Sequence, residues 1–477
     1  MGFIEQFFEI CEEKHAIGAN IVIANKDEIL DKASYGYRDK EENLLSTSDT
    51  IYRIASISKT VGAIGLMQLV EKGLIDLKED ISTYLGYKVR NPKYPNHIIT
   101  VEMLTTQTSS ILDGYDDENP KYDDIRKGYN GVNGWPIDVS LKDLLTNPDC
   151  EYYTPLTFAD YKPGERWTYS NFGCGIMACI IEKVSGEYYV DYMEKHVFKP
   201  LGLDASFKAS RIIHQDKIAK MYAYYNGELH NHPKEKFINS TLKQYPLGDN
   251  FRGPAGGLFI SMPDLSVIMR MFLNYGTYNG IKILNRETVE LMYQMHWCGS
   301  PVGEDYRAKG IQMKVLNHHE IPFRGHTGGA YGVRSYMFFN LEKEIGTCFI
   351  TNGIYAENEY KLCQELFDGT QRFMIDKYVK FAIPIKAKFY DHEIILENRK
   401  IIDDELFLLD KKFIKGMHLA DSLNTVGIFN EDDLTFKINN LMINNVIYYH
   451  NAIYIPFKET LDALEIKYNI NDNYIEI

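Results

Sequence analysis

The chain has 477 residues, 45% of them hydrophobic, with 66 acidic against 52 basic side chains and a formal charge of −14. That length and balance suit a globular protein with one large and one smaller domain, and exclude a disordered or fibrous chain. The acidic excess excludes nucleic acid or an anionic membrane surface as a partner held by bulk electrostatics, and favours small neutral or cationic substrates.

At the start, Met1-Gly2-Phe3-Ile4-Glu5-Gln6-Phe7-Phe8-Glu9-Ile10 interrupts its apolar positions with acids and lacks a basic n-region or small-residue cleavage site. This predicts an amphipathic helix rather than a signal peptide. No run approaches the roughly 18 uncharged apolar residues of a membrane span, so no spanning segment and a cytoplasmic location are expected. Ile21-Val22-Ile23-Ala24 predicts a strand.

Ser56-Ile57-Ser58-Lys59 comes next, followed by Val61, Ile64, Met67, Leu69 and Val70 at roughly helical spacing and by Gly73 as a stop. A serine three residues before a lysine at a helix start faces the same way as that lysine, which places an amine within reach of a hydroxyl. The competing reading is a helix-capping serine with a solvated lysine one turn on. Ser240-Thr241-Leu242-Lys243 repeats the pattern, but no apolar run follows it.

Residues 113 to 165, rich in Asp, Tyr, Asn and Pro, predict a long excursion. A Pro/Gly turn, Lys162-Pro163-Gly164, then feeds Thr168-Tyr169-Ser170-Asn171, after which Phe172, Ile176, Cys179 and Ile180 begin an apolar helix. Tyr94-Pro95-Asn96 and Tyr224-Tyr225-Asn226 share the Tyr-x-Asn pattern without such surroundings. Farther on, Arg324-Gly325-His326-Thr327-Gly328-Gly329 precedes the strand-like Val333 to Phe339. A small-residue pair on a strand edge lets a substrate backbone come close. Arg334 is read as a solvated strand arginine, with a positive charge returned to the site as the alternative.

After about residue 375 Lys, Asp, Asn and Ile dominate, and the segment repeats itself at a constant offset of 41 residues. Ile402 matches Ile443, Leu406 Ile447, Phe407 Tyr448, Phe413 Tyr454, Ile414 Ile455, Asp421 Asp462 and Leu423 Leu464. Two copies of strands, a short helix and a closing strand are implied, which makes 376–477 a small α+β domain beside a main domain of 1–375. The seven cysteines, Cys11, Cys150, Cys174, Cys179, Cys298, Cys348 and Cys363, are odd in number and lack metal-ligand spacing, so buried free thiols are expected. His392, His418 and His450 also lack ligand spacing. Neither a metal nor another cofactor is predicted.

The order Ser56-x-x-Lys59, Tyr169-Ser170-Asn171, His326-Thr327-Gly328 resembles the serine β-lactamase and penicillin-binding protein superfamily, in its branch of class C β-lactamases, D-stereospecific peptidases and esterases. Gly36-Tyr37-Arg38-Asp39, the segment Ile99 to Ser109, Ala255-Gly256-Gly257-Leu258 and the segment Leu284 to Met292 resemble the same branch, so the likeness spans roughly residues 1 to 375. It implies a mixed α/β (α+β) fold, an antiparallel sheet flanked by helices plus an all-helical lobe, with the site between them. It also implies Ser56 as nucleophile, Lys59 as base and Tyr169 as proton carrier. Asn171, His326, Thr327, Gly328 and Gly329 would bind substrate, with the N–H groups of Ser56 and Gly329 as oxyanion donors. The second copy of the C-terminal repeat, Asn445 to Ile477, is similar to the modules called copper amine oxidase N-terminal-like, without implying copper.

Two positions depart from the pattern. His326 stands where β-lactamases usually carry lysine, and Gln107 where many relatives carry histidine. Lysine is a fixed charge for a substrate carboxylate, whereas a histidine near neutrality acts as a hydrogen-bond donor. Within that superfamily His-Thr-Gly resembles the pattern of D,D-peptidases, D-aminopeptidases and some esterases, and the resemblance implies a D-stereospecific peptidase or esterase acting on small peptides or esters. A β-lactamase or D,D-carboxypeptidase is the alternative, and a sensor or scaffold that traps a wall fragment or acyl ligand is the alternative from another class. The C-terminal domain could cover the site, bind a partner or mediate homo-oligomers.

Overall fold

The computed structural model describes residues 3–113, 139–239, 244–294, 296–298, 308–318, 321–354 and 374, with 385–389, 392–396, 413–415, 427–430, 435–443, 447–449, 452–467, 469–471 and 474–476 of the C-terminal part. The Ser240–Lys243 pattern, Cys363, His418, His450 and most of the first repeat copy lie outside the described residues, as does the middle of the 113–165 excursion.

The framework is a nine-stranded sheet whose strand pairs all run antiparallel. Its order is Trp297–Cys298, Ala308–Gly310, Met313–His318, Ile321–Ala330, Val333–Asn340, Ile345–Asn352, Gly18–Asn25, Ile29–Asp39 and Leu44–Leu45. The early strand Gly18–Asn25, predicted at Ile21–Ala24, pairs along its whole length with the late strand Ile345–Asn352, and so shares one sheet with the strand-like segment at Val333. Both central strands are buried on both faces, so apolar residues occupy both sides of each, with Asn20, Thr347 and Thr351 buried among them.

Helices cover the two faces. The amphipathic N-terminal helix, Phe3–Glu13, sets Phe7 edge-on against Phe349 at 6.2 Å between ring centroids. On the opposite face the helix Met262–Leu273 stacks Phe272 on Phe339 at 5.2 Å and brings Met269 against Cys348. A helical lobe adds Ile81–Leu85, Val101–Thr106, Leu141–Thr146, Asn171–Ser185 and Tyr189–Met193. Asp80, Thr100, Ser140 and Ser170 cap four of these helices through side-chain oxygens that accept backbone N–H bonds.

Between sheet and lobe runs the helix Ile57–Glu71, buried from Ile57 to Leu69 on every side. The roughly helical spacing of Val61, Ile64, Met67 and Leu69 therefore marks only part of its apolar surface, since a helix wrapped by neighbours needs no polar face. Its glycines have a packing role. A Cβ on Gly62 would lie 2.3 Å from Tyr189 Oη, and one on Gly65 2.8 Å from Met193 Sδ. Each costs helix propensity of about 1 kcal/mol and lets the neighbouring helix approach. Gly73, at φ +67, ends the run where the sequence placed the stop.

In the C-terminal part, Phe413 faces Pro456, Ile414 faces Ile455 and Lys415 faces Tyr454. Ile414 and Ile455 are equivalent by the 41-residue offset. The two equivalent strands thus pair antiparallel about their own midpoint, the arrangement a duplicated unit makes around a local two-fold. Ile385–Phe389 also pairs in parallel with the final strand Tyr474–Glu476, which ties the beginning of this region to its end.

Leu66 on the central helix is fully buried, whereas Leu45 is largely exposed. Leu66→Ala should lower the unfolding free energy by about 2–5 kcal/mol, and Leu45→Ala by less than about 0.5 kcal/mol. Urea unfolding of the two variants measures both.

Candidate active site

The strand Ile51–Arg53 enters the central helix through Ala55, whose φ of +52 is a left-handed conformation disfavoured for a residue with a Cβ. The turn is held on three sides: Ile54 N donates to Leu258 O, Ser335 Oγ donates to Ile54 O at 2.8 Å, and Ser58 Oγ donates to Ala55 O at 2.6 Å. Ser56 follows at the helix start. It makes no side-chain cap, which removes the helix-capping reading and leaves its Oγ for other groups.

Two groups take that oxygen. Tyr169 Oη donates to Ser56 Oγ at 2.6 Å, and Lys59 Nζ lies 3.1 Å from it. Lys59 is completely buried, and its Nζ also donates to Asn171 Oδ1 and to Ala255 O, both at 2.8 Å. Three donors thus meet three acceptors, with the ammonium over the Tyr169 ring at 4.7 Å. Burial pulls the Lys59 pKa down from its ordinary value to about 8; Lys314 and Arg53 push the same way, while Cys174 and Asp113 resist.

Asn171 begins the helix Asn171–Ser185, and its amide is oriented by a residue that sequence reasoning missed. Asp113 is 5% exposed, and its Oδ2 accepts from Asn171 Nδ2 at 2.8 Å. Its Oδ1 accepts from Phe172 N at 2.8 Å. With the amide nitrogen committed to the carboxylate, Asn171 Oδ1 must face Lys59. Burial raises the Asp113 pKa, against the hydrogen bonds and the Lys59 charge that favour ionisation. Asp113 lies four residues past the Ile99–Ser109 segment, but no spacing rule links it to Asn171.

The third sequence motif lies within the strand Ile321–Ala330. Its place is not the sheet edge, as expected, but the interior of the strand order. The neighbouring strand Met313–His318 pairs only as far as Gly325. Among the described residues, His326 to Ala330 therefore has a strand partner on one side alone, which produces a local edge within the sheet. Gly328 faces the helix start, where an added Cβ would lie 2.4 Å from Ile54 O and 3.2 Å from Ser56 N. Only a glycine lets the strand come that near the serine. Gly329 is exposed, Thr327 half-buried.

His326 is fully buried, with its ring 6.2 Å from that of Tyr169. A carbonyl oxygen can only accept, so Nδ1 carries the proton and donates to Thr327 O at 2.6 Å. Burial, reinforced by Lys314, Lys309 and Lys59, holds its pKa well below the ordinary histidine value, and the ring is neutral. The cation beside this motif comes from elsewhere: Lys314 Nζ donates to Thr327 Oγ1 at 3.2 Å. Arg334 is half-buried on the next strand, donating to Val333 O, with Nη1 against Gly329. Gln107 is buried in a left-handed turn, and neither polar atom of its side chain has a hydrogen-bond partner among the described residues.

The competing Tyr-x-Asn copies serve local structure. Asn226, at φ +52, turns the hairpin between Met221–Tyr225 and Glu228–His232, and Tyr94 lies in a loop where its Oη donates to Asp160 O. Among the described residues no cluster of His, Cys, Asp and Glu is arranged to hold a metal ion, and no helix is long and apolar enough to cross a membrane. Cys11, Cys150, Cys174, Cys179 and Cys348 are free thiols. A cavity of about 90 Å³ lined by Arg53, Glu182, Tyr189, Phe207, Arg252 and Phe259 does not include Ser56, Lys59 or Tyr169 among its walls.

Residues 3–364 match the family described as "Beta-lactamase". Penicillin-binding protein 4* of Bacillus subtilis (strain 168) is 27% identical over 221 residues, 46% of this chain and 44% of that protein. The match thus spans less than half the length of that relative. Among solved structures, the octameric penicillin-binding protein homologue from Pyrococcus abyssi superposes with a TM-score of 0.60 at 20% identity, covering 98% of this chain and 95% of its own. D-amino acid amidase from Ochrobactrum anthropi SV3, complexed with D-phenylalanine, gives 0.58 at 18% identity, covering 78% and 98%.

Asp113→Ala would leave the Phe172 N–H and the Asn171 amide without their acceptor. The expected loss of stability is about 1–3 kcal/mol. Chemical denaturation measures it, and an unchanged midpoint would contradict the role given to Asp113.

Proposed function

The chain belongs to the β-lactamase family, and on that premise we propose that it acts through a Ser56 acyl-enzyme on small peptides or esters, as a D-stereospecific peptidase or esterase. The observation that carries this reading is the placement of Tyr169 Oη at 2.6 Å and the buried Lys59 Nζ at 3.1 Å from one serine oxygen. A lysine whose pKa is lowered to about 8 supplies a usable neutral fraction near neutrality, which an ordinary lysine does not.

In the proposed step Ser56 Oγ attacks the acyl carbonyl carbon and its proton passes to the Lys59 amine. The carbonyl oxygen becomes an oxyanion facing the N–H groups of Ser56 and Gly329. Collapse breaks the bond to the leaving nitrogen or oxygen, which receives its proton through Tyr169. Water then repeats the sequence in reverse order on the ester, releasing the acid and restoring Ser56. Asn171 keeps Lys59 aligned, and the open edge from His326 to Gly329 takes the substrate backbone.

Similarity to a D-amino acid amidase and the neutral His326 support the peptidase or esterase reading over β-lactamase activity. The octameric description of the Pyrococcus protein, which aligns with nearly the whole chain, supports a homo-oligomer.

Intact-protein mass spectrometry after exposure to p-nitrophenyl butyrate, with product detection, tests the reaction. Wild type should release product through an adduct on Ser56, and Ser56→Ala should do neither. With an amide such as D-Ala-p-nitroanilide, whose leaving nitrogen must gain a proton, Tyr169→Phe should slow acylation by about 10²- to 10⁴-fold. Undiminished turnover by Ser56→Ala would overturn the assignment.

A further inference from the structure

The cavity of about 90 Å³ that lies apart from Ser56 is lined by four basic side chains, Arg53, Lys208, Arg211 and Arg252, against two acidic ones, Glu182 and Asp191. Both acids are committed elsewhere. Asp191 pairs with Arg211, and Glu182 accepts from Tyr189 N, Gly248 N and Asn250 Nδ2. In a chain of formal charge −14 such a wall is a local concentration of positive charge. Lys208 is half-buried beside Arg211, and its ammonium makes no hydrogen bond or ion pair among the described residues. Desolvating an ammonium in this way costs free energy that a bound anion would recover. Aromatic rings of Tyr189, Phe207, Phe237, Tyr245 and Phe259 form much of the remaining wall, and the exposed Ser210, Arg211 and Gln244 give access from solvent. One water takes about 30 Å³ of the liquid, so the space suits a molecule of a few heavy atoms.

The same walls hold catalytic groups in place. Gly253, Pro254 and Gly257 line the cavity, and between them Ala255 O accepts from Lys59 Nζ at 2.8 Å. That turn is tight: Gly256 N and Gly257 N both donate to Gly253 O, and a Cβ on Gly257 would lie 2.7 Å from the same oxygen. Arg53 stands opposite Phe259 in a two-stranded sheet, three residues before Ser56. Its guanidinium lies 4.9 Å from the centroid of the ring of Tyr331, two residues past Gly329. Arg53 thus connects the cavity to both proposed oxyanion donors. It also bears on the base: Arg53 and Lys314 oppose the charge of Lys59, while Cys174 and Asp113 favour it.

We propose that this cavity is a second ligand site, taking a small monocarboxylate with a short apolar tail, and that its occupant restrains acylation of Ser56 without entering the reaction site. The carboxylate faces Lys208 and the guanidinium groups, and the tail faces the aromatic rings. An anion beside Arg53 offsets the positive charge that opposes the Lys59 ammonium, and a filled cavity holds the Ala255 carbonyl on that ammonium as its acceptor. Both effects favour the charged lysine over the free amine, so less of the base is present near neutrality. Binding at this site stands independently of the acyl-transfer reading of Ser56; the restraint rests on it.

Sodium propionate is the probe, with equimolar sodium chloride as the control for ionic strength. Calorimetry and saturation-transfer NMR on the full-length Ser56→Ala protein measure binding, and kcat and KM of wild type on p-nitrophenyl butyrate measure the restraint. Propionate should bind Ser56→Ala; adding Lys208→Met should weaken binding about tenfold or more, and adding Lys208→Arg should keep most of it. At pH 7 saturating propionate should lower the wild-type kcat about fivefold or more with chloride inert, and the effect should shrink at pH 9, where Lys59 is largely neutral with or without the ligand. Each rate is compared with the same protein lacking propionate, so a reduced folded fraction does not mimic the effect. Absence of binding, or binding that survives Lys208→Met, overturns the site. A rise in KM alone, which marks occupation of the Ser56 site, an equal effect of chloride, or binding with no change in kcat overturns the restraint. Failure of the hydrolase reading appears separately, as wild-type protein that forms no Ser56 adduct and no product while propionate binding to Ser56→Ala still decides the site.

Discussion

Burial of the Lys59 ammonium is the constraint around which the rest of the site is arranged. A charge removed from water carries a penalty of several kcal/mol unless neighbouring groups compensate it. The structure supplies Asn171 Oδ1 from one helix, the Ala255 carbonyl from the Gly253–Gly257 turn and Ser56 Oγ from the lysine's own helix. Asp113 fixes the first of these by holding the Asn171 amide. The compensation is partial, and the lowered pKa of Lys59 measures the remainder. That remainder is useful, because a fully satisfied ammonium would be a poor base. The stability given up at this residue is what brings its proton affinity near working pH.

The second constraint is steric. The strand Ile321–Ala330 must approach the start of the central helix closely enough for substrate to bridge them, and Gly328 permits it. The early end of pairing at Gly325 then frees a stretch of backbone for an incoming chain.

Much of this was legible in the sequence. The apolar run after Ser56, the Pro/Gly turn before Tyr169 and the glycines after Thr327 each carry a local signal of helix, turn or close approach, and all three segments converge in the structure. The N-terminal helix and the strands at Ile21 and Val333 follow from periodicity for the same reason. Asp113 and Lys314 were not legible, because each acts across a tertiary contact. Asp113 is 58 residues from Asn171, and Lys314 reaches Thr327 only through strand pairing. Placing His326 at a sheet edge was half right: an edge exists, but it arises where a neighbouring strand stops, and no pattern in the motif itself encodes that ending. The 41-residue repeat of the C-terminal region is an expectation from the sequence; the structure pairs Ile414 with Ile455, two positions related by that offset.

The most direct test of the central claim is the pH dependence of Ser56 acylation, followed as kcat/KM on a neutral p-nitrophenyl ester. If Lys59 must be neutral to accept the serine proton, the rate should climb about tenfold per pH unit below about 8, where the group loses its proton, and level off above. A rate that is flat from pH 6 to 9, or that falls across this range, would contradict the account of Lys59 as the base.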